Sequence, residues 1–426
     1  MRDGRIESVR EQGPGPLGPT GRVVGLDVLR GVAVLGILLM NIRSFALPEA
    51  EAGAVEPTWA GPLGAADAAA WWATSALAEG KFLALFAMMF GAGIVLVSDR
   101  RKAVGRGSAA LHYRRMGWLF AIGLVHAYGI WFGDILATYA MCGCLVWLMR
   151  GWPAGRLLGV GLGMVAVGSG VSVLIGWSAQ FWPADLREEM FGYDPEWTAS
   201  ELAAYRGGWW EQMGFRAPAA LTVQTLLFVA FGLWHAGGLM LIGMALVRWG
   251  LLRGAWSGRR CAAAAAAGVG VGLPVTLWGL WLFPPGERVS PEALFLGLQF
   301  TLWGSVPMAV GYAAGVMGLA GRRELLSRWM RPLAAVGRTA LSNYLGQSVV
   351  CTLLFYGTVH DLEWFGRVGY AAQLGVVMGV WALQLGVSWW WTRRYRMGPM
   401  EWLWRWGGYG SRPAWRRGFR GGGGTG

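Results

Sequence analysis

The chain has 426 residues, of which 55% are hydrophobic and only 14% charged, against roughly 25% charged in an ordinary soluble domain. Its mean hydropathy is +0.41, and long uncharged runs recur along nearly the whole length, which excludes a soluble globular protein and predicts an integral membrane protein. The formal charge of +13 lies mostly in arginines between the apolar runs, where it orients spans. No nucleic-acid partner is expected from it.

Residues 1–22 are basic, rich in Gly and Pro, and lack an apolar core, which predicts a disordered tail. The first apolar run follows this positive charge but is longer than a signal core and has no small-x-small cleavage site close behind it, so it reads as a retained span. At about 20 apolar residues per crossing, the chain offers candidates at 24–43, 76–98, 113–130, 133–149, 156–178, 219–247, 262–283, 293–319, 333–356 and 368–391. The expected fold is therefore an all-α polytopic bundle of about ten transmembrane helices. Arginines cluster at the N-terminus, in alternate connections and after the last span, which predicts that both termini are cytoplasmic.

Three connections stand out. Residues 60–75, with Trp59, Trp71 and Trp72, predict an interfacial helix before the second span. The largest outer loop, 179–218, carries Asp185, Glu188, Glu189, Asp194, Glu196, Glu201 and Glu211; it reads either as a lid with short surface helices or as a solvated connector. Span 219–247 is long enough to be one tilted helix or a helix broken around His235, Gly237 and Gly238. The remaining chain, 23–406, reads as a single helical domain, followed by a disordered Gly/Arg-rich tail over 407–426.

Ionisable groups in or beside spans are costly and mark candidate sites. Asp27 and Arg30 share a helix face near the start of the first span. They read either as a local pair or as part of an anion-binding mouth. Asn41, Arg43, Glu79, Lys81, His126 and Asp134 all fall at one membrane level in the ten-span topology. His126 and Asp134 flank a short turn, so a carboxylate can orient an imidazole there, the arrangement of a general base. They are the candidate catalytic pair. A proton relay and a structural hydrogen bond are the other readings. His235 lies alone in its span and is a candidate binding residue. Cys142, Cys144, Cys261 and Cys351 sit in or beside predicted helices without a His cluster, so no metal site is expected.

LDVLRGVAVLGILLMN (26–41), KFLALFAMMFGAG (81–93), GDILATYAMCG (133–143), GRTALSNYLGQS (337–348) and MGPMEWLWRW (397–406) occur in this order and bracket nearly the whole chain. This set resembles the YeiB-like family of bacterial membrane proteins, whose C-terminal part is a domain of unknown function. By that resemblance Asp27, Arg30, Lys81, His126, Asp134, Asn343, Tyr344, Gln347, Glu401 and Arg405 are signature positions. Of these, Asp27, Arg30, Lys81, Asn343, Tyr344 and Gln347 join Asn41 and His235 as candidate binding residues. The family is similar to the membrane acyltransferase superfamily, which implies transfer of an acyl group from cytoplasmic acyl-CoA to an unknown acceptor, small or lipid-linked. The His-containing arrangement of the better-known acetyltransferases is not plain here. A transporter or flippase of a small amphiphile or anion is the alternative, and a purely structural or regulatory membrane partner is a third reading. Expected surroundings are membrane lipids of the bacterial inner membrane. Acyl-CoA is the expected co-substrate, no bound cofactor is read from the sequence, and the chain can form a homo-oligomer.

Overall fold

The computed structural model describes residues 24–48, 64–283, 290–321, 330–357, 362 and 364–416. The expected N-terminal tail, 1–22, and the Gly-rich end from 417 lie outside these residues.

The described chain is helical throughout, with one isolated backbone bridge between Tyr395 and Arg416. In chain order the helices are α1 (Val24–Ala46), α2 (Ala65–Leu77), α3 (Lys81–Ala103), α4 (Ala109–Gly129), α5 (Leu136–Val146), α6 (Ala154–Ser178), α7 (Ala184–Phe191), α8 (Pro195–Arg206), α9 (Trp209–Gln224) and α10 (Leu233–Arg248). They continue as α11 (Gly258–Leu282), α12 (Pro291–Ala320), α13 (Met330–Arg338), α14 (Ala340–Phe355), α15 (Tyr370–Arg394) and α16 (Pro399–Tyr409).

Seven helical stretches among the described residues are long and apolar enough to cross a membrane: 24–46, 65–103, 154–181, 209–248, 258–282, 291–320 and 370–394. The count expected from sequence was about ten, and three candidates fall short. α5, even with the 3-10 turn that extends it to Met149, and α14 are too short. At 1.5 Å per residue α14 is about 24 Å long, against a hydrocarbon core of about 30 Å. α4 begins in a polar, arginine-bearing turn that lowers its mean hydropathy. The boundaries also move. The second span takes in the predicted interfacial segment, because α2 runs on into α3 through a tight turn at Gly80 (φ 74°). The sixth begins at Trp209, inside the loop expected over 179–218.

α1 is the innermost span, with 72% of its apolar stretch buried, whereas α11 and α12 bury 17% and 22%. Those two pack extensively on each other at the periphery. Outward they present large apolar side chains such as Trp278, Trp281 and Leu296, as a lipid-facing surface requires. Helices in lipid gain little from the hydrophobic effect and associate by close packing of small residues. The crossing of α3 and α10 shows how close. A β-carbon at Gly243 would fall 1.8 Å from the Met88 carbonyl oxygen, and one at Gly91 would fall 2.0 Å from that of Met240.

The break in the sixth span falls earlier than expected. A π-helical turn occupies Phe228–Gly232, ahead of His235, while Gly237 and Gly238 lie buried inside regular α10. Gly238 serves packing: a β-carbon there would meet the Gly161 carbonyl of α6 at 2.5 Å. Residues 407–416, expected as part of a disordered tail, fall among the described residues and are packed. α16 runs to Tyr409, and the chain then folds back so that Arg396 N–H donates to the Trp415 carbonyl at 2.9 Å and Trp402 Nε1 to that of Pro413 at 3.0 Å.

The basic helix ends gather at one end of the bundle. Asp99, at the end of α3, accepts from Arg248 of α10 at 3.3 Å and from Arg253 at 2.6 Å. Arg150, after α5, donates to Ser98 at 3.0 Å. Trp404 of α16 donates to the Arg115 carbonyl of α4 at 2.7 Å, with the Arg115 guanidinium 4.2 Å from the Trp404 ring.

Candidate functional site

α4 and α5 are antiparallel neighbours joined by the turn 130–135. His126 ends the buried face of α4, and Asp134 stands just before α5. Asp134 Oδ1 lies 2.8 Å from His126 Nδ1, while its Oδ2 accepts the Ala137 N–H at 2.8 Å and so caps the first turn of α5. Gly123 admits this carboxylate against α4: a β-carbon there would fall 2.8 Å from Asp134 Oδ2. The other imidazole nitrogen, Nε2, lies 2.9 Å from Ser348 Oγ of α14. A carboxylate only accepts, so in the neutral imidazole Nδ1–H donates to Asp134 and Nε2 is left to accept the serine hydroxyl. Exposure is 1% for His126, 2% for Asp134 and 1% for Ser348, so the relay is enclosed.

Aromatic rings and the turn backbone wall this relay. The Tyr344 ring centroid is 5.2 Å from that of His126, and its hydroxyl accepts from Ile135 N–H at 3.3 Å and donates to the Gly133 carbonyl at 3.4 Å. Trp131 stands 6.4 Å from His126 and stacks on Phe45 of α1 at 4.1 Å. Beyond the end of α4, Trp209 and Arg216 of α9 both donate to the Gly129 carbonyl, at 2.9 and 3.2 Å. The acidic outer loop thus carries short helices, and α9 docks on the end of α4 close to the site.

α14 divides its polar residues between two faces. Tyr344 and Ser348, four apart, face α4 and α5. Asn343 and Gln347, also four apart, face α15. The Asn343 amide donates to the Thr339 carbonyl at 2.9 Å and to Ser388 Oγ at 2.9 Å, and Gln347 bridges the Val34 carbonyl at 3.1 Å and Gln384 Oε1 at 3.0 Å. These two amides are spent joining α14 to α1 and α15, the polar glue expected between helices in lipid.

The other candidates lie apart. Asp27 pairs with Arg30 at 3.3 Å on α1, beside the close crossing with α13. Arg43 and Lys81 form a second, buried cluster at the end of α2, with the half-exposed Glu79 carboxylate 3.7 Å from Arg43. Arg43 donates to the Trp71 carbonyl at 3.1 Å, to Ser75 Oγ at 3.0 Å and to Thr74 Oγ1, and Lys81 Nζ donates to the Ser75 carbonyl at 3.0 Å. Cations suit the negative end of a helix, so this cluster caps α2. Asn41 is half-buried on α1 and joins neither cluster. His235 borders a small cavity of about 50 Å³ with Gly80 and Ser305. Sequence reasoning missed Ser348, although it ends the quoted segment 337–348 and sits one turn beyond Tyr344.

Glu401 of α16 is a latch on α14. It accepts from Leu341 N–H at 2.6 Å, Ser342 N–H at 3.2 Å and Ser342 Oγ at 2.6 Å. Burial pushes its carboxyl above the ordinary value of 4.5, and the donors from Ser342 and Leu341 offset part of that rise. The folded state therefore holds this proton more tightly than the unfolded chain. The resulting stability is fullest below about pH 4.5 and is lost as pH rises through the raised folded value. Thermal unfolding in detergent across this range should show the decline in the wild type, and Glu401→Gln should remove it. Glu401→Ala, which strands two buried amides, should cost about 1–3 kcal/mol.

Residues 246–411 match the family model described as protein of unknown function, DUF418. The chain is 34% identical over 394 residues to the uncharacterized protein YeiB of Escherichia coli (strain K12), covering 90% of this chain and 95% of that one. It is 27% identical over 398 residues to the uncharacterized protein YxaH of Bacillus subtilis (strain 168), covering 90% and 93%. With its described helices arranged as a polytopic bundle and its similarity to YeiB running almost end to end, the chain belongs to the YeiB-like family of multi-pass bacterial membrane proteins.

Proposed function

We propose that the protein is an acyltransferase of the bacterial inner membrane in which Ser348 is the nucleophile, His126 its general base and Asp134 the group that orients the base. One observation carries this reading: His126 is held at both nitrogens, by a carboxylate at 2.8 Å and by a serine hydroxyl at 2.9 Å. That is the geometry by which a serine is activated for acyl transfer. Ser348 Oγ would attack the carbonyl carbon of an acyl-CoA thioester as its proton passes to His126 Nε2. Collapse breaks the C–S bond, and the leaving thiolate takes that proton. An acceptor hydroxyl or amine then gives its proton to His126 and takes the acyl group from the serine, whose oxygen regains a proton from His126.

The gathered arginines support a cytoplasmic placement of that end of the bundle, with both termini on the same side. Ser348 lies seven residues from Leu341, where Glu401 latches α14 near this end, or about 10 Å at 1.5 Å per residue. That is shorter than a full membrane crossing and within the reach of a pantetheine arm.

Purified protein incubated with acyl-CoA should release CoA and acquire an acyl adduct at Ser348, seen by intact mass and peptide mapping. Ser348→Ala should abolish both signals, and His126→Gln should reduce them by about a hundredfold or more. No CoA release and no adduct across acetyl and long-chain donors, from protein that unfolds cooperatively, would sink the assignment.

The alternative of proton-coupled transport is favoured by the enclosure of all three side chains, since a relay sealed from water suits proton passage. Uptake of an unmodified solute into proteoliposomes, driven by a pH gradient and lost in His126→Gln, would select it.

A further inference from the structure

The arginine-rich end of the bundle carries a cleft of about 470 Å³ lined by Arg101, Arg106, Gly107, Arg114 and Tyr409, with the first turn of α4 as its floor. This is the size of a small-ligand pocket. None of its lining residues is acidic. Arg101 is fixed by its Nε–H bond to the Gly107 carbonyl at 2.6 Å, which ties down the turn between α3 and α4. Arg106 and Arg114 are exposed, and neither guanidinium makes a hydrogen bond or ion pair among the described residues, while the Arg106 backbone N–H donates to the Arg101 carbonyl at 2.9 Å. Three guanidiniums around one cleft repel one another unless an anion joins them, and the planar fork of arginine fits phosphate oxygens.

The surroundings of the cleft indicate what carries that phosphate. Trp118 lies one turn below Arg114 on the same face of α4 and is 43% exposed. Trp406 lies one turn before Tyr409 on α16 and is 46% exposed. The two helices touch here, since a β-carbon at Gly407 would fall 2.3 Å from the Trp118 ring. Exposed tryptophans below a ring of arginines mark the interfacial layer of a bilayer, with the arginines at headgroup depth. A ligand that places its phosphate among the arginines meets an apolar, lipid-facing wall immediately beneath.

We propose that this cleft is a headgroup site for an anionic phospholipid, with its phosphodiester held by Arg106 and Arg114 and its acyl chains running down the Trp118 and Trp406 surface. The site is distinct from the His126 relay and does not depend on the chemistry proposed there.

The test is native mass spectrometry of the full-length protein in detergent, offered equal amounts of phosphatidylglycerol and phosphatidylcholine. The wild type should retain phosphatidylglycerol at least fivefold over phosphatidylcholine. The Arg106→Gln/Arg114→Gln double variant should lose this preference with an unchanged melting temperature. If the double variant fails to fold, Arg106→Gln alone on the exposed turn should at least halve the preference. The control pair Arg393→Gln/Arg394→Gln, exposed at the end of α15, should keep it. Equal retention of both lipids by the wild type overturns the proposal, as does a preference that survives in the Arg106 and Arg114 variants. Displacement of phosphatidylglycerol by millimolar inorganic phosphate also overturns it, by assigning the cleft to a soluble phosphate ligand.

Discussion

Replacing Gly243 by alanine should lower the melting temperature of the detergent-solubilised protein markedly, and replacing it by valine should leave no monodisperse protein. The reason is the reciprocal crossing of α3 and α10. The added carbon would lie 1.8 Å from the Met88 carbonyl oxygen, and that oxygen belongs to a buried helix backbone rather than to a side chain that can rotate away. The helices must separate along their contact, which opens the packing of Met88, Met240 and Met244, all buried at this seam. Overpacking of a core costs about 1–3 kcal/mol even where side chains yield, and this site falls at or above the top of that range. Gly91→Ala should behave alike, because its β-carbon would meet the Met240 carbonyl at 2.0 Å. Gly93 provides the internal control. It lies on the same helix with nothing within 4 Å of a β-carbon, and alanine there should be neutral or stabilising by up to about 1 kcal/mol through helix propensity. Comparable losses at Gly93 and Gly243 would show that the crossing is not what holds α3 to α10.

Asp134→Asn is the substitution expected to separate chemistry from stability most cleanly. Asparagine retains an oxygen to accept the Ala137 N–H, so the cap on α5 survives and the melting temperature should change little. Its amide nitrogen, however, donates. Turned toward His126 Nδ1, it makes that nitrogen the acceptor and moves the ring proton to Nε2, which then donates to Ser348 instead of accepting from it. A serine facing an N–H donor cannot pass its proton to the imidazole. CoA release and Ser348 acylation should therefore fall by about 10²–10⁴-fold, the span in which a positioned base contributes to rate. Asp134→Ala removes cap and orienter together and should also destabilise by about 1–3 kcal/mol. Full activity in a folded Asp134→Asn protein would demote His126 from base to structural hydrogen-bonding group.

Composition and charge were enough to read a helical membrane protein, because apolar runs and arginine clusters are local properties of the chain. The nearness of His126 and Asp134 was legible for the same reason, since only a short turn separates them. Ser348 was not, because it meets His126 across 222 positions and nothing local says which face of α14 turns toward α4. The family resemblance placed Asn343 and Gln347 with Tyr344 among candidate binding residues, and the structure shows the two amides on the neighbouring face, joining helices. Lateral position explains the other divergence. The sequence put Arg43, Lys81 and His126 at one membrane level, but Arg43 and Lys81 bond to the end of α2 while His126 bonds to Asp134 and Ser348. The break in the sixth span was misplaced because Gly237 and Gly238 look like breakers in sequence, while in the bundle they let α10 approach α6.

The Glu401 latch also sets the order in which the protein is completed. The amide it holds belongs to Leu341, sixty positions earlier. At roughly 5–20 residues per second, the ribosome delivers Glu401 some 3–12 s after the segment it caps. During that interval the helix carrying Ser348 enters the membrane with its opening amides bare and its start unanchored. Until Glu401 arrives, the helix that carries Ser348 to His126 is held without the latch, by bonds such as those of Asn343 and Gln347 to α15 and α1.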